Sequence, residues 1–193
     1  MTEAKKIISM IVGIPVAIIL LSTTLYFLVD KNLINLGTVN HGNLIQPPLQ
    51  IANLNAQGEA PDPSKENKWQ FLVIANGSCD NDCETMLYIS RQSHIALGKK
   101  LIHVERSYIE ISDENTASVL PEKYSEVKTS TTSMKKIKKL FVKSDIDPLE
   151  KNQFFVVDRQ GWIMMRYHFE DTTEENLNNW GKKIVKDMKR LIK

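Results

Sequence analysis

The distribution of hydrophobic and polar positions separates an apolar N-terminal run from a mixed remainder. Residues 7–29 are uncharged and almost entirely hydrophobic. As a helix, 23 residues would measure roughly 34 Å, enough to cross a hydrocarbon core of about 30 Å. The run is longer than the apolar region of about 7–15 residues found in cleaved signal peptides. The pattern therefore predicts an uncleaved transmembrane anchor.

The charges on either side of the apolar run indicate its direction. Lys5 and Lys6 precede it, whereas Asp30 and Lys31 follow it and cancel each other. Because positive residues stay on the cytoplasmic side, residues 1–6 are expected in the cytoplasm. The remainder is then expected outside, in the periplasm, as the larger part of a single-pass inner-membrane protein. Cysteines in such a space can form disulfides.

The segment after the anchor lacks a regular hydrophobic period. Residues 30–67 are rich in Asn, Pro, Gly and Gln. This composition predicts a tether, with a short strand near residues 44–51. The folded domain is expected to span residues 68–193.

Within residues 68–193, short apolar runs alternate with helical periods of 3.6 residues. The expected order is strand, helix, strand, helix, strand, strand, helix, with the segment at 112–132 interpreted as loop. The last two strands are joined by a tight turn at Asp158–Gly161. A helix crossover between parallel strands, followed by an antiparallel hairpin and a closing helix, predicts an α/β fold. Its architecture is a thioredoxin-like domain, a mixed sheet with flanking helices.

Composition excludes some functions. The sequence has 25 Lys and Arg against 23 Asp and Glu, so it carries no electrostatic signature of nucleic-acid binding. It has two cysteines, too few for a disulfide-stabilised scaffold. A basic stretch at residues 135–143 (KKIKKLFVK) is interpreted as a solvated helix face, with anionic lipid or an acidic partner as the alternative.

The two cysteines lie together at the junction of the first predicted strand and helix. Cys79 and Cys83 are separated by three residues. A helix N-terminus favours the thiolate, whereas the acidic residues Asp80, Asp82 and Glu84 disfavour it. A disulfide requires that Cys79 precede the helix, since two cysteines four apart within a helix lie too far from each other. The same pair can clamp a soft metal such as Cu(I). Redox, copper-binding and structural roles all remain open.

A soft metal site usually needs a third ligand, and His168 is the candidate. It lies near the end of the final strand, which returns to the cysteine edge of the predicted sheet. In that position it is offset by one strand, about 5 Å or more. The alternative for His168 is a solvent-facing histidine at a strand end.

Three blocks of sequence resemble a known family. They are the CDNDC block (Cys79–Cys83) with its following YISRQ and LGK, the hairpin DRQGWIMMRY, and the closing KDMKRLIK. Across residues 69–193 they resemble the membrane-anchored, Sco/SenC-like thioredoxin-fold proteins of proteobacteria. The resemblance implies a role in cytochrome c oxidase biogenesis. In Sco proteins the C-x-x-x-C pair and a distant histidine bind copper.

The match to that family is incomplete. Cys79 and Cys83 correspond to the copper-binding pair, but the histidine does not carry over. The stretch before the third predicted strand, residues 148–152, contains no histidine, and no proline stands directly before that strand.

The resemblance implies an assembly factor or metallochaperone rather than a turnover enzyme. Its partner would be a membrane protein, either a cytochrome c oxidase subunit or another assembly factor, and Cu(I) its possible metal. Cys79 would be the attacking thiol and Cys83 the resolving one. The alternatives are a general thiol–disulfide oxidoreductase and a non-catalytic binding module with a structural disulfide.

Overall fold

A computed structural model describes residues 3–31, 40–54, 56–58, 67–112, 120 and 122–192. The chain divides into two compact units, Met1–Val39 and Asn40–Lys193. The first contains helix α1 (Glu3–Asp30), which includes Pro15. Its segment Lys5–Leu28 is long and apolar enough to cross a membrane, and none of the hydrophobic window is buried.

The second unit is built on one seven-stranded sheet. Its strands are β1 (Asn43–Gln50), β2 (Gln57–Gly58), β3 (Trp69–Asn76), β4 (Val104–Ile111), β5 (Lys128–Thr132), β6 (Gln153–Val157) and β7 (Trp162–His168). Across the sheet their order is β1-β7-β6-β3-β4-β5-β2. Strands β3, β4 and β5 are parallel, while β6, β7 and β1 extend the sheet with antiparallel pairings and β2 adds one at the far edge.

Helices cover both faces of the sheet. Helices α2 (Asn81–Ala96) and α4 (Glu174–Leu191) pack on one face, around an aromatic cluster that includes Phe71 and Phe154. Helix α3 (Met134–Phe141) and the 3-10 turn at Ile51–Leu54 pack on the other. Because β3 lies between two strands and under both layers, residues 69–73 are all buried. This hydrophobic run explains why β3 could be predicted from the sequence.

The fold class is confirmed as a thioredoxin-like mixed sheet with flanking helices. The predicted order of strands and helices between residues 68 and 193 is present, including the turn at Asp158–Gly161. Gly161 adopts a φ of 86°, a conformation that side chains other than glycine rarely take.

Two parts of the sequence interpretation need correction. The short strand predicted near residues 44–51 is present at residues 43–50, but instead of lying in a tether it forms the edge strand β1, which pairs with β7 and contributes Ile45 and Leu49 to the core. The folded unit therefore begins at Asn40 rather than residue 68. The polar run 128–132, interpreted as loop, forms β5 between β4 and β2, with Ser130 and Thr131 buried. Backbone pairing on both sides makes these residues a strand without a hydrophobic pattern.

A buried carboxylate joins the start of this unit to its last helix. Asp187 on α4 is 0% exposed and accepts hydrogen bonds from the backbone amides of His41 (2.7 Å) and Gly42 (3.2 Å). The Tyr167 hydroxyl donates to it at 3.0 Å, and His41 Nδ1 lies 2.9 Å from its second oxygen. Burial, reinforced by the charge of Asp187, raises the pKa of Tyr167 well above its ordinary value, so the phenol remains a donor. These contacts hold the chain against α4 just before β1 begins.

Replacing the buried carboxylate by an amide tests this junction. Asp187→Asn keeps the size but places an amide among groups that donate, so we expect a loss of about 3 kcal/mol in the free energy of unfolding. The measurement is urea unfolding of the full-length protein in detergent, followed by tryptophan fluorescence. Asp145→Asn, at an exposed position, is the matched control. A loss below about 0.5 kcal/mol for Asp187→Asn would contradict the structural role.

Candidate redox site at the end of the central strand

The turn from β3 into α2 determines where the cysteines lie. Gly77 takes a φ of 78°, and its amide donates to the Ile111 carbonyl at 3.0 Å. Asp80 then adopts an extended backbone and accepts a 2.9 Å hydrogen bond from the amide of Cys83 through its side chain. An aspartate in this capping position satisfies a backbone donor that the first turn of a helix leaves unpaired. Helix α2 therefore begins at Asn81, and Cys79 precedes it.

Cys79 and Cys83 form a disulfide. Their Cα atoms are 5.3 Å apart, a separation typical of such bonds. The condition set by the sequence, that Cys79 must stand outside the helix, is met. Cys83 is 6% exposed within the core cluster, whereas Cys79 is half-buried at its margin. Of the two residues, Cys79 is the one that an incoming thiol can reach more easily.

The acidic residues around the pair are occupied by contacts within the protein. Asp82 pairs with Lys151 at 2.9 Å, Glu84 pairs with Lys123, and Asp80 caps the helix. The hydrogen bond to Asp82 raises the pKa of Lys151, and the hydrogen bond to Glu84 raises the pKa of Lys123. Two positive charges thus stand beside two of the three acids that, by the sequence, disfavour a thiolate. The repulsion is weaker than the sequence predicts.

A cavity of about 280 Å³ opens beside Cys83. It lies between the end of β3, the start of α2 and the loop before β6. Its lining includes the apolar residues Val73, Met86 and Leu149, the polar residue Asn152, and charged side chains (Asp80, Asp82, Glu150 and Lys151). Asn152 takes a φ of 54° directly before β6, and its side-chain oxygen is buried without a hydrogen-bond partner among the described residues. The cavity therefore offers apolar contacts and a hydrogen-bond acceptor next to the disulfide.

His168 lies at the end of β7, opposite Gln153 in the register with β6. Strand β6 separates it from β3 and the cysteines, as the strand direction predicts. Its Nε2 is 3.2 Å from Glu150, whose other oxygen binds Arg166 at 2.7 Å. Among the described residues, no three His, Cys, Asp or Glu side chains are grouped so that they could hold a metal ion. His168 as a third ligand beside Cys79 and Cys83 therefore stays a prediction of the sequence.

Sequence reasoning missed the two lysines of this site. Lys123 lies 40 residues beyond Cys83 and Lys151 lies 68 beyond it. Neither belongs to a motif, and each reaches the start of α2 through a loop whose path depends on the finished sheet. Only the strand order could have placed the loop before β6 near the cysteines.

Fold and site together define a thioredoxin-like protein with a disulfide closed across the start of its first domain helix. Residues 69–193 match the family model described as the transmembrane-like, thioredoxin-like, C-terminal domain. The chain belongs to this family. A search of curated proteins finds no match.

Solved structures with a similar fold include two Sco proteins. Yeast Sco1 with copper bound superposes with a TM-score of 0.51 at 13% identity, covering 79% of this chain and 95% of that one. A SCO1/SenC family lipoprotein from Bacillus anthracis superposes with a TM-score of 0.50 at 14% identity, covering 81% of this chain and 100% of that one. The resemblance to Sco proteins found in the sequence is thus confirmed at the level of the fold.

The contribution of the Asp80 cap can be measured with two substitutions. Asp80→Ala removes the acceptor for the Cys83 amide, and we expect a loss of about 1 kcal/mol in the free energy of unfolding. Asp80→Asn keeps an acceptor oxygen at the same place and should lie within a few tenths of a kcal/mol of the wild type. Urea unfolding of the oxidised, full-length protein is the readout. Equal losses for the two variants would show that charge, rather than capping, is what Asp80 provides.

Proposed function

We propose that this protein is a membrane-tethered, periplasm-facing accessory factor in cytochrome c oxidase assembly that exchanges thiols and disulfides through Cys79 and Cys83. The observation that carries the proposal is the position of the disulfide. It is closed at the carboxyl end of the central strand, with the more exposed cysteine before the helix and the buried one within it. Chemistry in open α/β sheets gathers at this edge.

A purely structural role explains this disulfide less well. The bond closes a loop with a sequence separation of four. In the chain-entropy account so short a loop contributes about 2 kcal/mol, less than half of what a bond across about 100 residues would give. The Asp80 cap already stabilises the same helix start. A cross-link intended for stability would constrain far more of the unfolded chain if it joined distant elements.

The reaction follows from the placement of the two sulfur atoms. In the reduced protein the Cys79 thiolate attacks one sulfur of a client disulfide, forming a mixed disulfide and releasing a client thiolate that takes up a proton. The Cys83 thiolate then attacks the Cys79 sulfur and releases the second client thiol. Two electrons and two protons pass to the client, and the protein keeps the disulfide. A dithiol donor, either a protein or a small thiol, must restore the reduced pair.

The membrane and the client are inferred from the anchor and from the resemblance. Helix α1 is long and apolar enough to cross a bilayer, and Lys5 and Lys6 favour a cytoplasmic N-terminus. Tethering to the same membrane raises the effective concentration of a membrane-embedded client. The likeness to Sco proteins, in the sequence blocks and in the fold, supports an oxidase subunit or a second assembly factor as that client.

Copper delivery is the second candidate, with Cu(I) as cargo. It is favoured by the C-x-x-x-C spacing and by the yeast Sco1 structure, solved with copper bound. When reduced, the pair supplies two soft sulfur ligands. A third ligand would have to come from the client or from solvent, because His168 is held by Glu150.

Trapping the mixed disulfide tests the exchange. The client probe is the copper-binding domain of an oxidase subunit, oxidised at its metal-ligating cysteines. Reduced full-length Cys83→Ser in nanodiscs should form a covalent complex that dithiothreitol releases, because the resolving thiol is missing. Cys79→Ser should trap at least tenfold less, since Cys83 is buried.

The wild-type protein should reduce the probe without accumulating a complex. If reduced wild-type protein transfers no electrons to the probe, thiol exchange with this client is wrong. Equal activity on a generic peptide disulfide would favour the general oxidoreductase instead.

Copper binding can be tested separately with reduced, anaerobic protein against a competing Cu(I) chelator. Any binding should disappear in Cys79→Ser/Cys83→Ser. His168→Ala should bind like the wild type, because β6 separates His168 from the pair. A weakening of tenfold or more in His168→Ala would make His168 a ligand and contradict the geometry. No binding by the wild type would leave thiol exchange as the function.

A further inference from the structure

The layer of the sheet opposite α2 and α4 carries a broad groove that the redox chemistry does not use. Its volume is about 800 Å³. One wall comes from β1 and the turn after it, and the other from α3 and the residues that follow it. The lining consists of Pro47, Pro48, Leu49, Gln50, Ala52, Asn53, Lys136, Lys139, Leu140, Lys143 and Trp162. We call this set of residues the α3 face.

The charge of the α3 face has one sign. Helix α3 (Met134–Phe141) contains four lysines and no acidic residue. Its apolar residues Ile137, Leu140 and Phe141 are buried against the sheet, so the lysines lie toward its outer side. Lys139 and Lys143 are exposed and line the groove, and no acidic side chain lines it among the residues that the structure describes. An anionic surface is the complementary partner.

The groove also presents an aromatic and apolar component. Trp162 is 37% exposed on β7, although most large aromatic residues of this unit are buried. Pro47 and Pro48 are exposed on the neighbouring edge strand. Tryptophan prefers the boundary between water and lipid, where its ring contacts acyl chains and its N–H contacts head groups, and lysines beside it bind anionic head groups. Such a combination distinguishes a bilayer surface from a merely acidic protein.

The strand register places this groove far from the disulfide. Residue Gln153 at the start of β6 lies opposite His168, at the cysteine edge, whereas Trp162 starts β7 at the other edge. Gln50, at the end of β1, pairs with Trp162. A surface bound at this end leaves the Cys79–Cys83 edge pointing away, at a distance of about 25 Å for a strand of eight residues.

Chain length also favours lipid as the occupant. Nine residues, 31–39, separate the end of α1 from the first residue of the folded unit. Fully extended, they span at most about 35 Å. If α1 crosses the bilayer, the folded unit cannot leave the lipid surface by more than this distance. The bilayer surface is then present at high effective concentration.

We propose that the α3 face docks on the anionic phospholipid surface of the membrane in which α1 is anchored. Lys139 and Lys143 bind phosphate groups, and Trp162 enters the head-group region between them and β1. The domain is thereby held in one orientation, with its disulfide edge directed away from the bilayer toward the exposed part of a client. This goes beyond the thiol chemistry and does not depend on it.

Tryptophan quenching by lipid tests the docking on the full chain. All three tryptophans lie in the folded unit, and α1 has none. Full-length protein is placed in nanodiscs of phosphatidylcholine with or without phosphatidylglycerol, with brominated phosphatidylcholine as the quencher. We expect strong quenching of tryptophan fluorescence in anionic discs, and weaker quenching in neutral discs or at high salt. Trp162→Phe should remove the lipid-dependent part.

Two variants with the same change of net charge complete the design. Lys139→Glu/Lys143→Glu alters the α3 face, and Lys182→Glu/Lys186→Glu alters an exposed pair with the same spacing on α4, across the sheet. Each takes the formal net charge from +2 to −2, because two residues change by two charges each. The first should lower the docking equilibrium constant at least about tenfold, and the second should leave it within about twofold.

Equal effects of the two variants would overturn the proposal, because they would reveal only a response to net charge. Quenching that is the same in neutral and anionic discs would overturn it as well. If α1 inserts normally but no lipid-dependent quenching is observed, the membrane is rejected as the partner of the α3 face. An acidic protein would then be its partner. Insertion into the disc is scored independently, so failure of the anchor is distinguished from failure of docking.

Discussion

The hydrogen bond from the Cys83 amide to Asp80 is the interaction on which the functional edge depends. It ends the turn after β3 and makes Asn81 the first residue of α2. If the helix began one turn earlier, Cys79 would lie inside it and the pair could not close. Because β3 is the central strand of the sheet, this local contact also fixes the position of the disulfide relative to every other element. A single capping aspartate thus determines which cysteine is exposed and which is buried.

The parts of the fold that could be predicted are those in which hydrophobic residues form a continuous run or recur at the spacing of a helix. The hydrophobic run of β3 and the helical periods of α2, α3 and α4 all appear in the structure. Strand β1 has a weaker signal: a short strand near residues 44–51 could be predicted, but its eight residues direct only Ile45 and Leu49 into the core and include two prolines, so its place in the sheet could not. Strand β5 is polar and carries no hydrophobic pattern. It is held in the sheet by backbone pairing with β4 and β2. In both strands the pairing partners are determined by the finished sheet and could not be derived from local sequence.

The same distinction applies to the site. The cysteine spacing and the helix start are local, so the condition for the disulfide could be derived from the sequence. Strand direction also placed His168 one strand too far out, and β6 does lie between it and β3. The pairs of Lys151 with Asp82 and Lys123 with Glu84 could not be derived, since they join loops that meet only after the sheet has formed. The charge around a redox pair is therefore the property least accessible to sequence reasoning, although the thiolate depends on it directly.

The two ends of the sheet carry opposite kinds of surface. At the carboxyl end of β3, Lys151 pairs with Asp82 and Lys123 pairs with Glu84 beside a disulfide and a small cavity, so these charges offset each other. At the other end, the lysines of α3 stand beside an exposed tryptophan, and the described residues place no acid in the groove. An edge of paired charges attracts an anionic surface less than a positively charged edge, which acts over a Debye length of about 8–10 Å. This polarity matters for the proposed docking, because a chain connection limits the distance of a domain from a bilayer without fixing its rotation. In the proposed docking, an electrostatic contact at one end of the strands restrains the domain and keeps the other end accessible.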